Sequence, residues 1–311
     1  MSHRAPEMET AVSRAVGFLA DRQLPHGELR TFRSTDRNLA RDPVFESSPY
    51  GTTYVLYALG FVDDPRAAAV AARGRAFLAE EMEPPGLWRY YSSWNAKTLP
   101  PDLDDTSCAA FALGDHHDAI GLGLHLRLLL ANRDAEGRFR TFLTGGGNNV
   151  DAVVNANVLF YLGEREETRA ACAWLCDLVT REEEGRASLY GVDDLSLYYV
   201  LSRAFSRGVT GLAPCREPIV RRITARQGED GSFGDPLATA LAVASRLNFL
   251  PAGSRRPRKL GPAIRALLTG QNEDGSWPRS TFYIDFAGGF YGSEELSTAF
   301  AVEALSRWST T

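Results

Sequence analysis

A chain of 311 residues that is 44% hydrophobic and 23% charged has ample apolar material for a large core and is neither disordered nor fibrous in composition. With a net charge of −5 and Lys and Arg gathered only at Arg255, Arg256, Arg258 and Lys259, the chain offers no phosphate-tracking stripe, which argues against a nucleic-acid partner. The first twenty residues lack the basic start and apolar centre of a secretion signal, and no apolar run reaches transmembrane length, so a soluble cytoplasmic protein is expected.

In chain order, a mixed polar and apolar helix, a glycine turn and a more apolar helix recur. The series opens with a helix over 10–22, the turn Pro25-His26-Gly27-Glu28-Leu29 and an apolar helix over 52–59. It continues with 65–81, Pro85-Gly86-Leu87-Trp88 and 106–113, then Glu136-Gly137-Arg138-Phe139 and 155–162. The fourth set is 167–180, Glu184-Gly185-Arg186-Ala187 and 195–201; the fifth is 217–227, Asp230-Gly231-Ser232-Phe233 and 238–247. The last is 261–271, Asp274-Gly275-Ser276-Trp277 and 297–305. A spacing of roughly 45 to 60 residues is that of a two-helix repeat with its loops.

Helices of the first kind have one wet face and those of the second are apolar nearly all round, as outer and inner helices of a closed ring would be. Strand signals are almost absent. The expectation is an all-α fold, a single (α/α)6 toroid of six helix-pair repeats in one domain over 1–311, with an open solenoid as the alternative. Residues 1–9 and the loop from Pro251 to Pro257 would be its least ordered parts. Cys108, Cys172, Cys176 and Cys215 show neither disulfide nor zinc spacing and read as buried thiols.

The segment Asp102-Leu103-Asp104-Asp105-Thr106 sets three carboxylates within four positions just ahead of an apolar helix. Carboxylates crowded in a partly dry site cannot all ionise cheaply, so at least one holds its proton to higher pH than a free Asp. The competing reading is a helix N-terminus carrying capping acids, with Asp105 and Asp194 as such caps.

Gln271-Asn272-Glu273-Asp274-Gly275-Ser276-Trp277 resembles the QxxDGSW motif of the squalene–hopene cyclase and prenyltransferase superfamily. Gln227-Gly228-Glu229-Asp230-Gly231-Ser232-Phe233 is similar to it, with Phe in place of Trp. The Asp102 to Ser107 segment resembles the DxDDTA acid motif of class II terpene cyclases. The resemblance implies that Asp104, the middle acid, protonates a terminal alkene or epoxide, with Asp102 and Asp105 tuning and orienting it. It also implies that Gln271, Trp277 and Phe233 brace outer helices. Cyclases of that family usually pair two such barrels, and 311 residues hold one, so loops, a second copy or a partner protein would close the site.

Aligning the inner helices on their apolar runs places Asp151, Asp193, Asp194, Glu294 and Glu295 at the same mouth as Asp102, Asp104 and Asp105. Such a ring suits a proton donor or a divalent cation bridging a diphosphate, with Asp151, Asp193 and Glu295 as candidate Mg²⁺ ligands; no organic cofactor is expected. The loop Gly145-Gly146-Gly147-Asn148-Asn149 leads to Asn155 and Asn157, of which Asn155 is the candidate for positioning Asp104 or a water, or else a tie between helices. Trp94, Tyr50, Tyr199 and Tyr291 are candidates for lining the cavity and stabilising a carbocation. Arg89 and Arg138 flank glycine turns and could bind a diphosphate, the other reading being solvated arginines. His116, His117 and His125 fall at the far end from the acids.

The function expected from these residues is protonation and cyclisation of a linear isoprenoid such as farnesyl or geranylgeranyl diphosphate. Alternatives are an (α/α)6 carbohydrate hydrolase or lyase with two carboxylates across a wet groove, a zinc protein prenyltransferase β-like subunit, for which Asp105 and Cys108 lack a nearby His, and a non-catalytic toroid that binds a lipid or a protein.

Overall fold

The computed structural model describes residues 4–114, 122–144, 148–251 and 253–310. Six apolar helices carry the fold: α2 (Pro49–Leu59), α4 (Leu103–Leu113), α6 (Ala152–Leu162), α9 (Asp194–Ser206), α11 (Pro236–Asn248) and α13 (Glu294–Thr310). Each contains one of the apolar runs read from the sequence. They pack in a cycle: α2 on α4, α4 on α6, α6 on α9, α9 on α11, α11 on α13, and α13 back on α2. Outside them lie α1 (Arg4–Arg22), α3 (Pro65–Glu80), α7 (Arg169–Arg181), α10 (Ala213–Ala225) and α12 (Gly261–Thr269), with α5 (Leu122–Ala131) following α4. The two layers differ as the periodicity predicts. All of α6 except Tyr161 is buried, whereas α7 buries a single stripe of Ala171, Cys172, Leu175, Cys176, Leu178 and Val179.

An oxygen side chain starts every inner helix. Ser48, Asp102, Asp151, Asp193 and Asp235 each accept a backbone N–H of the first turn, and Ser293 accepts from Leu296 N–H at 3.0 Å. The caps are therefore Asp102 and Asp193, and Asp105 and Asp194, expected in that role, lie inside the first turns.

The glycine turns bolt the layers together in a repeated pattern. The residue after each turn donates its backbone N–H to a polar side chain near the start of the inner helix: Leu29 to Thr52 at 3.0 Å, Trp88 to Thr106 at 3.0 Å, Phe139 to Asn155 at 2.8 Å, Phe233 to Thr239 at 3.1 Å and Trp277 to Thr298 at 3.1 Å. Gln23, Gln227 and Gln271 each bridge the carbonyl of their own turn glycine and a carbonyl of the neighbouring outer segment. The Gln271 bridge reaches Ala11 O at 2.8 Å, joining the end of α12 to α1. At the last turn Gly275 has φ +92°, and a Cβ there would sit 2.5 Å from Arg14 O, so only glycine lets α1 pack so closely.

Three features depart from the sequence reading. The fold is not all-α: β1 (Phe32–Ser34), β2 (Val44–Phe45), β3 (Ser280–Ile284) and β4 (Phe290–Ser293) form an antiparallel sheet in the order β2-β1-β4-β3. Strands of two to five residues are too short for their alternation to be counted, although Ser280 to Ile284 is β-branched and aromatic and Gly288-Gly289 follows it. In the fourth repeat Glu184 to Ala187 is not a turn but the short helix α8 (Glu184–Ala187); Glu184 is buried there and accepts from Tyr198 Oη at 3.1 Å. The stretch before residue 10 is helical from Arg4. Residues 1–3, His116 and His117, Gly145 to Gly147, and Ala252 in the Pro251–Pro257 loop lie outside the described residues. All four cysteines are buried and unpaired by disulfide. Among the described residues, no helix is long and apolar enough to cross a membrane.

Trp277 is fully buried and donates its indole N–H to Leu267 O at 2.8 Å. Trp277→Ala is expected to cost about 3–5 kcal/mol of unfolding free energy in urea titrations, and Trp277→Phe about 1–2 kcal/mol. A loss below about 1 kcal/mol for the alanine variant would contradict the bolting role.

Candidate active site

The first turn of α4 is fixed from both sides. Asp102 N–H donates to Trp88 O at 3.2 Å and Leu103 N–H to Thr141 O at 2.8 Å, and Asp102 Oδ1 accepts from Asp105 N–H at 2.8 Å. That turn delivers Asp102, Asp104 and Asp105 together to a partly open cavity, about 840 Å³ with the solvent at its mouth included. Aromatic rings dominate the walls: Tyr50 from α2, Tyr90 and Tyr91 from the loop after α3, Phe142, Tyr190, Phe282 and Tyr283 from β3, and Tyr291 from β4. The rings brace one another. Tyr283 and Tyr291 stack with centroids 5.0 Å apart, Tyr50 meets Tyr283 edge-on at 5.1 Å, and the hydroxyls of Tyr90 and Tyr283 hydrogen-bond at 2.8 Å. The sheet is thus a wall of the cavity, and β3 and β4 supply four of its residues, Phe282, Tyr283, Ile284 and Tyr291.

The acids are kept dry and differ from one another. Burial, then the Asp102 charge and a hydrogen bond to Asp102, push Asp105 well above the ordinary carboxyl range. Burial pushes Asp102 up to about 7 against the hydrogen bonds it accepts from Asp105. Burial and mutual repulsion thus make the pair reluctant to ionise twice, and the two acids titrate as one coupled unit. Asp104 is the least buried of the three, and burial raises it too, opposed by hydrogen bonds from Asn157 and Tyr50 and by the charge of Arg203.

A polar chain behind Asp104 sets its orientation. Asn157 Nδ2 donates to Asp104 Oδ1 at 2.7 Å and to Tyr54 Oη at 3.1 Å, and Asn157 Oδ1 accepts from Arg203 Nη2 at 2.7 Å. Because a guanidinium can only donate, Arg203 fixes which end of the amide faces the acid. Arg203 is itself buried among rings, its Cζ lying 4.1 Å from the Phe160 centroid, 4.7 Å from Tyr54, 5.0 Å from Tyr57 and 5.5 Å from Tyr199. Below it Tyr199 Oη donates to the buried Glu303 at 2.6 Å. A charge in such a cage keeps its field across the cavity floor.

No protein-family model matches the sequence. The drimenol cyclase drtB of Aspergillus calidoustus is 28% identical over 253 residues, which cover 75% of this chain and 45% of that protein. The chain thus matches less than half the length of that curated relative. The type II terpene cyclase MstE from Scytonema superposes with a TM-score of 0.74 at 17% identity, covering 98% of this chain and 99% of that one. A variant of MstE in complex with geranylgeranyl dihydroxybenzoate, its substrate, superposes with a TM-score of 0.72 at 17% identity, covering 100% and 99%.

The chain has the fold of the type II terpene cyclases. The family resemblance drawn from the acid and QxxDGSW motifs is borne out.

In this type II cyclase-like fold the residues singled out from the sequence divide. Asp102, Asp104, Asp105, Tyr50 and Tyr291 meet at the cavity. Asn155 does not reach Asp104: its amide bonds Phe139 N–H and O and Asp151 O, and Asn157 holds the acid instead. Two residues along a helix point to nearly opposite faces, so one of the pair had to face outward. Tyr199 is in the cage beneath the cavity. Trp94 is 66% exposed and stacks on His26 at 4.8 Å. Arg89 is taken by Glu83 and Thr98, and Arg138 by Asp134, Glu136 and the Trp174 ring. His125 packs against Tyr161.

The Mg²⁺ candidates do not converge. Asp151 accepts from Val154 and Leu189 N–H and burial raises it to about 6; Asp193 pairs with Arg226 at 2.8 Å; Glu295 lies 3.7 Å from Arg22 and 3.8 Å from Arg30. Among the described residues no group of three or more His, Cys, Asp or Glu is arranged to hold a metal, and the three candidates do not form a common site. The sequence reading passed over Asn157, Arg203, Glu303, Asp285 and the tyrosines at 90, 190 and 283. Arg203 carried a signal, as a charge between the apolar run 195–201 and Ala204-Phe205 of α9.

A carboxylic acid whose pKa folding raises stabilises the native state fully below its unfolded pKa of about 4 and loses that contribution as pH climbs toward the folded value. Asp105→Asn removes one such proton. From about pH 5 to about pH 7 its unfolding free energy is expected to fall less steeply than wild type, by up to about 1.4 kcal/mol per pH unit. Identical slopes in denaturant titrations would mean that Asp105 is ionised in the fold.

Proposed function

We propose that this chain cyclises a linear isoprenoid by protonating its terminal alkene, with Asp104 as the acid, in a single (α/α)6 toroid. The observation that carries the reading is Asp104 itself. One carboxyl oxygen is held by Asn157, and the residue faces a cavity walled by tyrosine and phenylalanine rings. The toroid rests on the cyclic packing of the six inner helices and on the Gln271 bridge from α12 to α1.

In the first step the Asp104 O–H bond breaks and a C–H bond forms at the terminal alkene, leaving a tertiary cation. Electrons of the next alkene close a ring onto that cation, and the charge moves along the chain under the faces of Tyr283, Tyr291 and Phe282. Loss of a proton or addition of water ends the sequence. The Asp104 carboxylate left behind is stabilised by the Asn157 amide and by Arg203. Asp102 and Asp105 share their own proton and keep the turn dry. Solvent then reprotonates Asp104.

The carbohydrate hydrolase reading requires two working carboxylates across a groove. Here three acids sit on one helix turn, and Asp285, the other acid of the wall, has both oxygens occupied by Ala287, Gly289, Arg33 and Tyr291. A second copy or a partner protein could shape the open mouth, and cytoplasmic placement remains the expectation from the sequence.

The test is product analysis by mass spectrometry with farnesol, farnesyl diphosphate and a farnesylated hydroxybenzoic acid. Wild type is expected to give a cyclic product from at least one, and Asp104→Asn to lose at least about 100-fold in rate with an unchanged circular dichroism spectrum. Undiminished product from the folded variant would overturn the assignment. Asn157→Leu removes both the amide donor to Asp104 and the acceptor of Arg203, and is expected to lower kcat by about 10-fold or more with little change in KM; an unchanged kcat would contradict the orienting role.

A further inference from the structure

Charge limits what the polar end of the substrate can be. The cavity wall includes Asp102, Asp104, Asp105 and Asp285, and among its described residues there is neither Lys nor Arg. A diphosphate carries several negative charges and needs cations to balance them, which this wall does not provide. One cation stands at its edge. Arg33 on β1 donates through Nε to Asp285 Oδ2 at 3.2 Å and to Tyr291 Oη at 3.0 Å, and both partners line the cavity.

The seat of this guanidinium is built. Asp285 is locked by the turn it belongs to, its Oδ1 accepting Ala287 N–H at 2.8 Å and Gly289 N–H at 2.7 Å, while Tyr291 Oη donates to its Oδ2 at 2.7 Å. Burial pushes Asp285 up, but these hydrogen bonds and Arg33 outweigh it and hold the group ionised below its usual value. A Cβ at Gly289 would lie 2.4 Å from Arg33 Nε and 2.6 Å from Asp285 Oδ2, so the pair fits only because that position has no side chain. Among the described residues, the protein hydrogen bonds of Arg33 run through Nε, and its side chain is 25% exposed. Its Nη1–Nη2 edge is a two-pronged donor with the spacing of a carboxylate.

We propose that Arg33, seated by Asp285, Tyr291 and Gly289, binds a carboxylate at the polar end of the isoprenoid substrate, and that this seat selects a carboxylic acid over a diphosphate. Asp285 already offsets the Arg33 charge, so the pair is net neutral: a carboxylate on the free edge adds one unbalanced negative charge, whereas a diphosphate adds two or three beside the wall's other acids. The proposal rests on the cyclase reading for the rest of the ligand.

The experiment uses the full chain, with Arg33→Ala, Arg33→Lys and Gly289→Ala, and three substrates: a farnesylated hydroxybenzoic acid, its methyl ester and farnesyl diphosphate. Wild type is expected to favour the acid over the ester and the diphosphate by about tenfold or more in kcat/KM. Arg33→Ala should erase that preference through KM, with kcat changed less than about threefold. Arg33→Lys should restore part of it, and Gly289→Ala, which crowds the seat, should weaken it. Equal use of acid and ester by wild type, a preference for the diphosphate, or a preference that survives in Arg33→Ala would overturn the proposal. A saturated-chain analogue of the acid cannot react and reads the seat by calorimetry alone, where Arg33→Ala should weaken Kd by about tenfold. Binding of the analogue through Arg33 with no turnover of any polyene would sink the cyclase reading and leave the seat standing. Cyclisation with unchanged analogue binding in Arg33→Ala would sink the seat alone.

Discussion

A carboxylic acid that is to protonate an alkene must keep its proton at neutral pH, and its anion must be tolerable once the proton has gone. Low dielectric serves the first need and opposes the second. In the proposed role both needs fall on Asp104: burial at the head of an apolar cavity raises its pKa, while Asn157, backed by Arg203, is aimed at one of its oxygens. The amide donor suits the anion, and the positive charge of Arg203 sits within the core against the Tyr54 and Phe160 rings. Burial and mutual repulsion raise both Asp102 and Asp105, which opposes loading the turn with three full negative charges.

Everything else in the fold can be seen as holding that geometry. The acids sit on α4, Asn157 on α6, Arg203 on α9, Glu303 on α13 and Tyr50 and Tyr54 on α2, so the chain of contacts crosses five of the six inner helices. A slip of one helix by a residue would break it. The bolts resist such slips: in five repeats a Thr or Asn near the start of the inner helix is tied to the loop that follows the preceding outer helix. Asn155 belongs to this set, and its neighbour Asn157 is thereby turned inward. The small sheet ties residues near the start of the chain to the hairpin ahead of α13 and puts Tyr283 and Tyr291 opposite the acids.

The layers of the fold were legible because burial leaves a strong mark on sequence. Helices buried all round read as apolar, outer helices read as striped, and glycine turns with Gln and Trp repeat at helix-pair spacing. The acid turn was legible for another reason, since three carboxylates in four positions are costly without a purpose. The sheet was not, as β1 and β2 lie in a loop, pair with each other at only two positions and join the rest of the sheet through the β1 pairing with β4, far away in the chain. Trp94 was misplaced because nearness to a motif in sequence does not fix which way a loop side chain turns. Choosing between Asn155 and Asn157 needed the exact rotation of α6, which periodicity locates only to within a residue or two. Arg89 and Arg138, beside glycine turns, find acidic partners within their own loops, whereas the arginine that faces the site's chemistry, Arg203, is buried in the last turn of an inner helix.

The central claim is that the reaction begins with a proton delivered from Asp104 to carbon. Turnover of a linear polyene in deuterium oxide, with the product examined by mass spectrometry and nuclear magnetic resonance, tests it most directly. The account predicts one deuteron on the ring carbon next to the gem-dimethyl carbon, because the acid exchanges with solvent between turnovers. A cyclic product without deuterium at that carbon would contradict it.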